Sequence, residues 1–128
     1  MAKTNFENLQ VYQLSERLSD DVWKVVIGWN RLAQDTVGKQ LIRSADSIGA
    51  NIAEGSGRGS AQDHRRFLRI ARGSLYETQH WLRRAFKRQL LNEDQVKKLK
   101  PVVDELAPKL NAYLRSIKTL DEKNEKLT

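Results

Sequence analysis

KQLIRSADSIGANIAEGSGRGSAQDHRRFLRIARGSLYET, residues 39–78, is the stretch that decides the fold. Its first half places Leu41, Ala45, Ile48 and Ile52, in step with Val37 before them, at intervals of three and four. That is the period of one helix face, and it excludes the alternation of a half-buried strand. GSGRGS, residues 55–60, interrupts the pattern, with Gly55 as a C-terminal stop and the glycines expected to supply the positive φ of a tight turn. Ser60 then reads as an N-cap with Asp63 three residues on. Phe67, Ile70, Ala71, Ser74, Leu75, Thr78, Trp81, Leu82 and Ala85 follow on one side of a second long helix. Two long helices joined by so short a loop fold back on one another.

Outward from this hairpin the same period continues. A helix over about 8–28 carries Val11, Leu14, Leu18, Val22, Val25 and Trp29 on one stripe and ends near Gly28. The hairpin helices span about 36–55, with Asp35 and Thr36 as candidate caps, and about 61–90. Asn92 with Gln95 opens a fourth helix, about 93–120, whose seam is Val96, Leu99, Val103, Leu106, Leu110, Tyr113, Ile117 and Leu120. Pro101 and Pro108 lie opposite that seam and predict a curved or locally broken helix. The fold expected is all-α: one domain over 1–128, an antiparallel up-down-up-down four-helix bundle, with residues 121–128 too polar to pack.

Composition narrows the functions available. The chain has no cysteine, which excludes disulfides, thiolate nucleophiles and cysteine-ligated metals and leads us to expect a cytoplasmic protein. No apolar run suits a membrane span, and MAKTNFENLQ lacks the apolar core of a secretion signal. His64 and His80, on one predicted helix, stand about 24 Å apart at a rise of about 1.5 Å per residue, too far to share a metal. No Walker, HExxH or GxSxG sequence occurs. A non-enzymatic protein with no catalytic residue, metal or cofactor is therefore expected.

Charge has an address. The 23 Lys and Arg against 16 Asp and Glu leave a net +7. Residues 58–88 hold nine basic side chains and two acidic ones, which is the whole excess; the remaining 14 and 14 cancel. At about 100° per residue, Arg65, Arg69, Arg72, Arg83 and Lys87 share a narrow arc with Tyr76 and His80, broadened by Arg66, Arg84 and Arg88. With Arg58 in the loop, this stripe reads as a polyanion surface, its guanidinium forks suited to phosphates and Tyr76 to stacking on a base. It reads equally as a face whose arginines pair with acids of neighbouring helices or subunits. GSGRGS and Arg58 also admit a phosphate at the helix start. On the first helix Leu9, Tyr12, Trp23 and Ile27 fall opposite the core stripe and predict a homo-oligomer contact.

These residues carry a resemblance. Gln40 to Ile48, Asn51 to Gly55, the glycine loop to Ser60 and Phe67 to Glu77 resemble the signature of the bacterial 23S rRNA intervening-sequence proteins, as does the opening FENLQVYQLSERL. The resemblance implies a cytosolic four-helix bundle assembled into ring-like homopentamers. Some members are encoded inside insertions in 23S rRNA genes. The accessory variability determinants of diversity-generating retroelements, basic pentamers that bind nucleic acid and a reverse transcriptase, are similar in fold. Within the signature, Ala45, Ala53, Ala71, Gly73 and Ser74 are small enough for close helix approach. Arg43, Asp46, Asn51 and Glu54, with Gly55, suit inter-helix hydrogen bonds, a loop cap or pairing with the arginines. Two functions stay open: an oligomeric protein binding RNA or DNA through the third helix, or a structural scaffold or protein adaptor with no nucleic-acid role.

Overall fold

The computed structural model describes residues 5–117. Four long helices, α1 (Gln10–Val26), α2 (Lys39–Ser56), α3 (Ala61–Lys87) and α4 (Glu93–Ser116), form an antiparallel bundle in which α1 and α3 each pack on α2 and α4. A single 3₁₀ turn, Phe6–Asn8, leads into α1. Leu120 and the segment 121–128 lie outside the described residues.

The approach to α2 differs from expectation. Asn30, not Asp35 or Thr36, is the cap: its side-chain oxygen accepts from the Ala33 N–H at 3.0 Å. A short turn, Arg31–Ala33, and one π turn, Gln34–Gly38, then run directly into α2. Asp35 instead meets Arg31 at 3.4 Å, and the Thr36 hydroxyl donates to the Leu32 carbonyl at 2.7 Å, both within the turn. Gly38 lets this turn lie against the end of α1, since a Cβ there would stand 2.7 Å from Val26 Cγ1.

Caps with both partners close in sequence form as read. The Ser60 hydroxyl accepts from the Asp63 N–H at 3.1 Å, and Asn92 and Gln95 complete a reciprocal capping box. The glycines do not supply positive φ: among the described residues only Gln89 is left-handed, at φ 61°. It terminates α3, with Leu90 N–H bonding to Ala85 O at 2.9 Å and Gln89 N–H to Phe86 O at 3.0 Å. This is the Schellman arrangement, with glutamine where glycine is usual. α4 runs unbroken through Pro101 and Pro108, both on its exposed side. With those N–H groups absent, water can serve the freed carbonyls.

Leu18, Leu41, Ile48, Ile52, Leu68, Leu75, Leu106 and Leu110 are fully buried at the centre. On α3 the buried face is Leu68, Ala71, Leu75, Thr78 and Ala85, so Leu68 rather than Ile70 belongs to the core; Ile70 is exposed. A neutral hydroxyl ladder joins α2 to α3: Ser74 donates to Ser47 and Thr78 reaches Ser44, each at 3.0 Å. Close approach occurs at Gly55, where a Cβ would lie 3.0 Å from Phe67 Cβ, and at Gly49 against Ser15 of α1. Gly73 is open, with nothing within 4 Å, and plays no such part. Asp21, buried on α1, faces Lys98 of α4 at 3.5 Å and sets the relative height of those helices.

Candidate nucleic-acid interface

α3 is a continuous 27-residue helix, so its basic side chains project from one rigid rod. The bundle nevertheless divides them into groups. Arg65 donates from Nη1 to the Ile117 carbonyl at 2.6 Å, and Arg72 donates to Asn111 Oδ1 at 3.3 Å. Ile117 caps α4, so Arg65 satisfies an orphan carbonyl at the negative end of that helix dipole. These two arginines fasten α3 to α4.

Arg58 and Arg66 both lie over the Phe67 ring, with guanidinium carbons 4.7 and 4.5 Å from its centroid. Arg58 also meets Glu54 at 2.6 Å and Arg66 meets Asp63 at 3.3 Å. Arg58 thus engages Glu54 and Phe67, and with Gly59, Ser60, Ala61 and His64 it also lines a pocket at the start of α3. Exposed pairs of this kind contribute only about 0–1 kcal/mol, so an incoming polyanion competes with them easily.

Arg69, Arg83, Arg84, Lys87 and Arg88 remain. All five are exposed, and among the described residues none has an acidic or hydrogen-bonding partner. Tyr76, 52 % exposed, stands on the same side, and His80 packs edge-on against Trp81 with centroids 4.8 Å apart. This outer strip combines unneutralised forks with an aromatic face.

The signature's polar residues serve the hairpin itself. Asn51 donates to the Ser47 carbonyl at 2.8 Å, Glu54 holds Arg58, and Gly55 admits α3. Arg43 and Asp46 are exposed, the latter in a groove shared with Glu16 and Asp20. His64 contacts Tyr113 at 3.5 Å; burial lowers the pKa of this imidazole and raises that of the Tyr113 hydroxyl.

The expected contact patch on α1 divides as well. Leu9 and Tyr12 pack against the core, Tyr12 edge-on to Phe6 at 4.9 Å, so they are not outward residues. Trp23 and Ile27 are exposed. Leu32 and Phe86 join the exposed apolar set, and neither is marked by the sequence. Leu32 sits in a polar connection with no period, and Phe86 lies between the basic and apolar arcs of α3, so neither carries a periodic signal.

No described helix is long and apolar enough to cross a membrane. The fold and site define an all-α four-helix bundle with an exposed basic strip along its longest helix. The sequence profile of the family described as 23S rRNA-intervening sequence protein matches residues 7–112, and the chain belongs to that family. Among solved structures it is similar to a protein with unknown function from the S23 ribosomal protein family of Bacteroides thetaiotaomicron VPI-5482, determined at 1.70 Å. That likeness has a TM-score of 0.71 at 23% identity, covers 81% of this chain and 97% of the other, and shows the shared fold. No curated protein matches the chain.

Proposed function

We propose that this chain is a self-associating, non-enzymatic cytoplasmic protein that binds RNA through the outer strip of α3. Arg69, Arg84 and Arg88 contact phosphates, and Tyr76 stacks on an unpaired base. The observation that carries this reading is the set of exposed α3 cations that have no acidic partner among the described residues, beside Arg58, Arg65, Arg66 and Arg72, which the bundle engages. A strip that existed only for solubility would have no need of arginine's planar forks or of a bare aromatic ring among them. Sequence selectivity is expected to be low, because no base-reading module is present. Self-association, which the resemblance noted above implies, would repeat the strip around an assembly.

The test is the triple variant Arg69→Glu, Arg84→Glu, Arg88→Glu, compared with the parent for retention of a structured RNA across a salt series. All three side chains are exposed, so the helical dichroism should not change. Affinity should fall steeply, and the dependence of log affinity on log salt should flatten by about 0.7–0.9 for each phosphate no longer engaged. Equal retention by the triple variant would refute the mechanism. The scaffold alternative draws on the exposed Trp23 and Ile27; it predicts that RNA is not retained by either protein.

A further inference from the structure

The bundle is not closed equally on its four sides. Of the neighbouring helix pairs α3 and α4 pack least closely, and the C-terminal half of α3 and the N-terminal half of α4 leave a groove of about 380 Å³ between them. The groove reaches down to the core: Leu91, Leu99 and Val103 in its lining are buried, and Leu82 and Val96 are half-buried. Phe86 stands beside them 53 % exposed. On α3 the lining runs from Gln79 to Lys87, about 12 Å at a rise of about 1.5 Å per residue. Small-molecule sites typically enclose about 300–1,000 Å³ and present a mostly apolar surface with a few placed polar groups, and the groove has that size and that lining.

Its charges are matched on one side only. On α4, Lys100 meets Asp104 one turn on at 2.6 Å, so those two lining residues cancel. On α3, Arg83 and Lys87 are also one turn apart, but both are cations, both are exposed, and neither has an acidic partner among the described residues. Like charges at this spacing on a helix repel, and an anion placed between them relieves the repulsion. An inorganic anion would do so yet leave Phe86 and the apolar lining in water. A wholly apolar molecule would cover the lining yet leave the cations unmatched. The complement of this surface carries both features in one molecule.

We propose that the α3/α4 groove binds a small anionic amphiphile, an aliphatic chain ending in a carboxylate or a phosphate. Arg83 and Lys87 hold the head, and the chain lies along Leu82, Phe86, Val96 and Leu99. The site is complete within one chain. It goes beyond the RNA reading and does not depend on it, because Arg69, Arg84 and Arg88 do not line the groove.

Calorimetric titration of the full chain with dodecanoate and with dodecyl phosphate, each below its micelle-forming concentration, tests the assignment. At least one of the two should bind saturably at one per chain, and the tighter identifies the head. Shortening the bound chain by two methylenes should weaken binding by about 5- to 15-fold. Arg83→Gln with Lys87→Gln should weaken it by about tenfold or more. Arg84→Gln with Arg88→Gln removes the same charge from the same helix outside the groove, and should leave affinity within about twofold of the parent. Phe86→Asp should abolish binding. All five positions are exposed, so helical dichroism should not change. Equal weakening by the two glutamine pairs would show attraction to net charge alone and overturn the site, as would equal affinity for dodecyltrimethylammonium. If neither anion binds saturably, for instance because a second copy of the chain covers the groove, the proposal is likewise overturned.

Discussion

Gly55 and Gly73 both lie inside helices, and alanine at the two positions should have opposite effects. Propensity alone favours alanine over glycine by about 1 kcal/mol in a helix interior. At Gly73 nothing stands within 4 Å of the added methyl, so that gain is expressed and stability should rise by about 0.5–1 kcal/mol. At Gly55 the methyl would lie 3.0 Å from Phe67 Cβ, 3.1 Å from His64 Cδ2 and 3.3 Å from the His64 carbonyl oxygen. Two of those three atoms are rigidly attached to the α3 backbone, so relief requires α2 and α3 to separate by a few tenths of an ångström. Overpacking of this kind typically costs about 1–3 kcal/mol. The methyl–backbone contacts offset or outweigh propensity, leaving Gly55→Ala destabilised by up to about 2 kcal/mol. At this chain length a kcal/mol corresponds to roughly 3–5 °C in Tm. Urea and thermal unfolding followed by far-ultraviolet dichroism, at one fixed protein concentration because association couples to stability, would read both variants. A Gly55→Ala protein as stable as Gly73→Ala would refute the close approach of α2 and α3 at the end of the hairpin.

Two further outcomes follow from the same bundle. Gln89→Gly should raise stability by about 1 kcal/mol, since the left-handed position that ends α3 penalises a residue bearing a Cβ; denaturant midpoints decide it, and a lowered midpoint would contradict the Schellman assignment. For His64, burial lowers the folded pKa below its unfolded value of about 6.5, so the unfolded chain takes up the proton first as pH falls. Stability should therefore decline as pH falls through the unfolded value of about 6.5 and level off once the folded imidazole also protonates. His64→Gln should flatten that slope, measurable by unfolding at each pH; an unchanged slope would show that other groups set it.

How much is legible depends on how far apart the interacting partners lie along the chain. The four helices can be read because their apolar period is a local pattern, and the Ser60 and Asn92 caps because their partners are three residues away. The Asn30 cap is just as local yet stays hidden, because Asp35 and Thr36 offer equally good capping chemistry and no period distinguishes the sites. Leu68 escapes the core stripe for a related reason. On a long amphipathic helix the edge of the buried face is set by where the neighbours stand, and angular arithmetic cannot locate them.

Local order along the chain thus determines the helices, their antiparallel return and the confinement of the whole charge excess to residues 58–88. Only the tertiary structure decides what each cation does. Arg65 meets a carbonyl 52 residues away and Arg72 an amide 39 residues away, while Arg69, Arg84 and Arg88 on the same helix meet no acid among the described residues. The same holds for the apolar side chains of α1: Tyr12 is half-buried against the core and Trp23 is exposed, although the helical period puts both opposite the core stripe. Helical period assigns a residue to a face, but neutralisation and burial depend on atoms within a few ångströms in space, and those come from other segments of the chain.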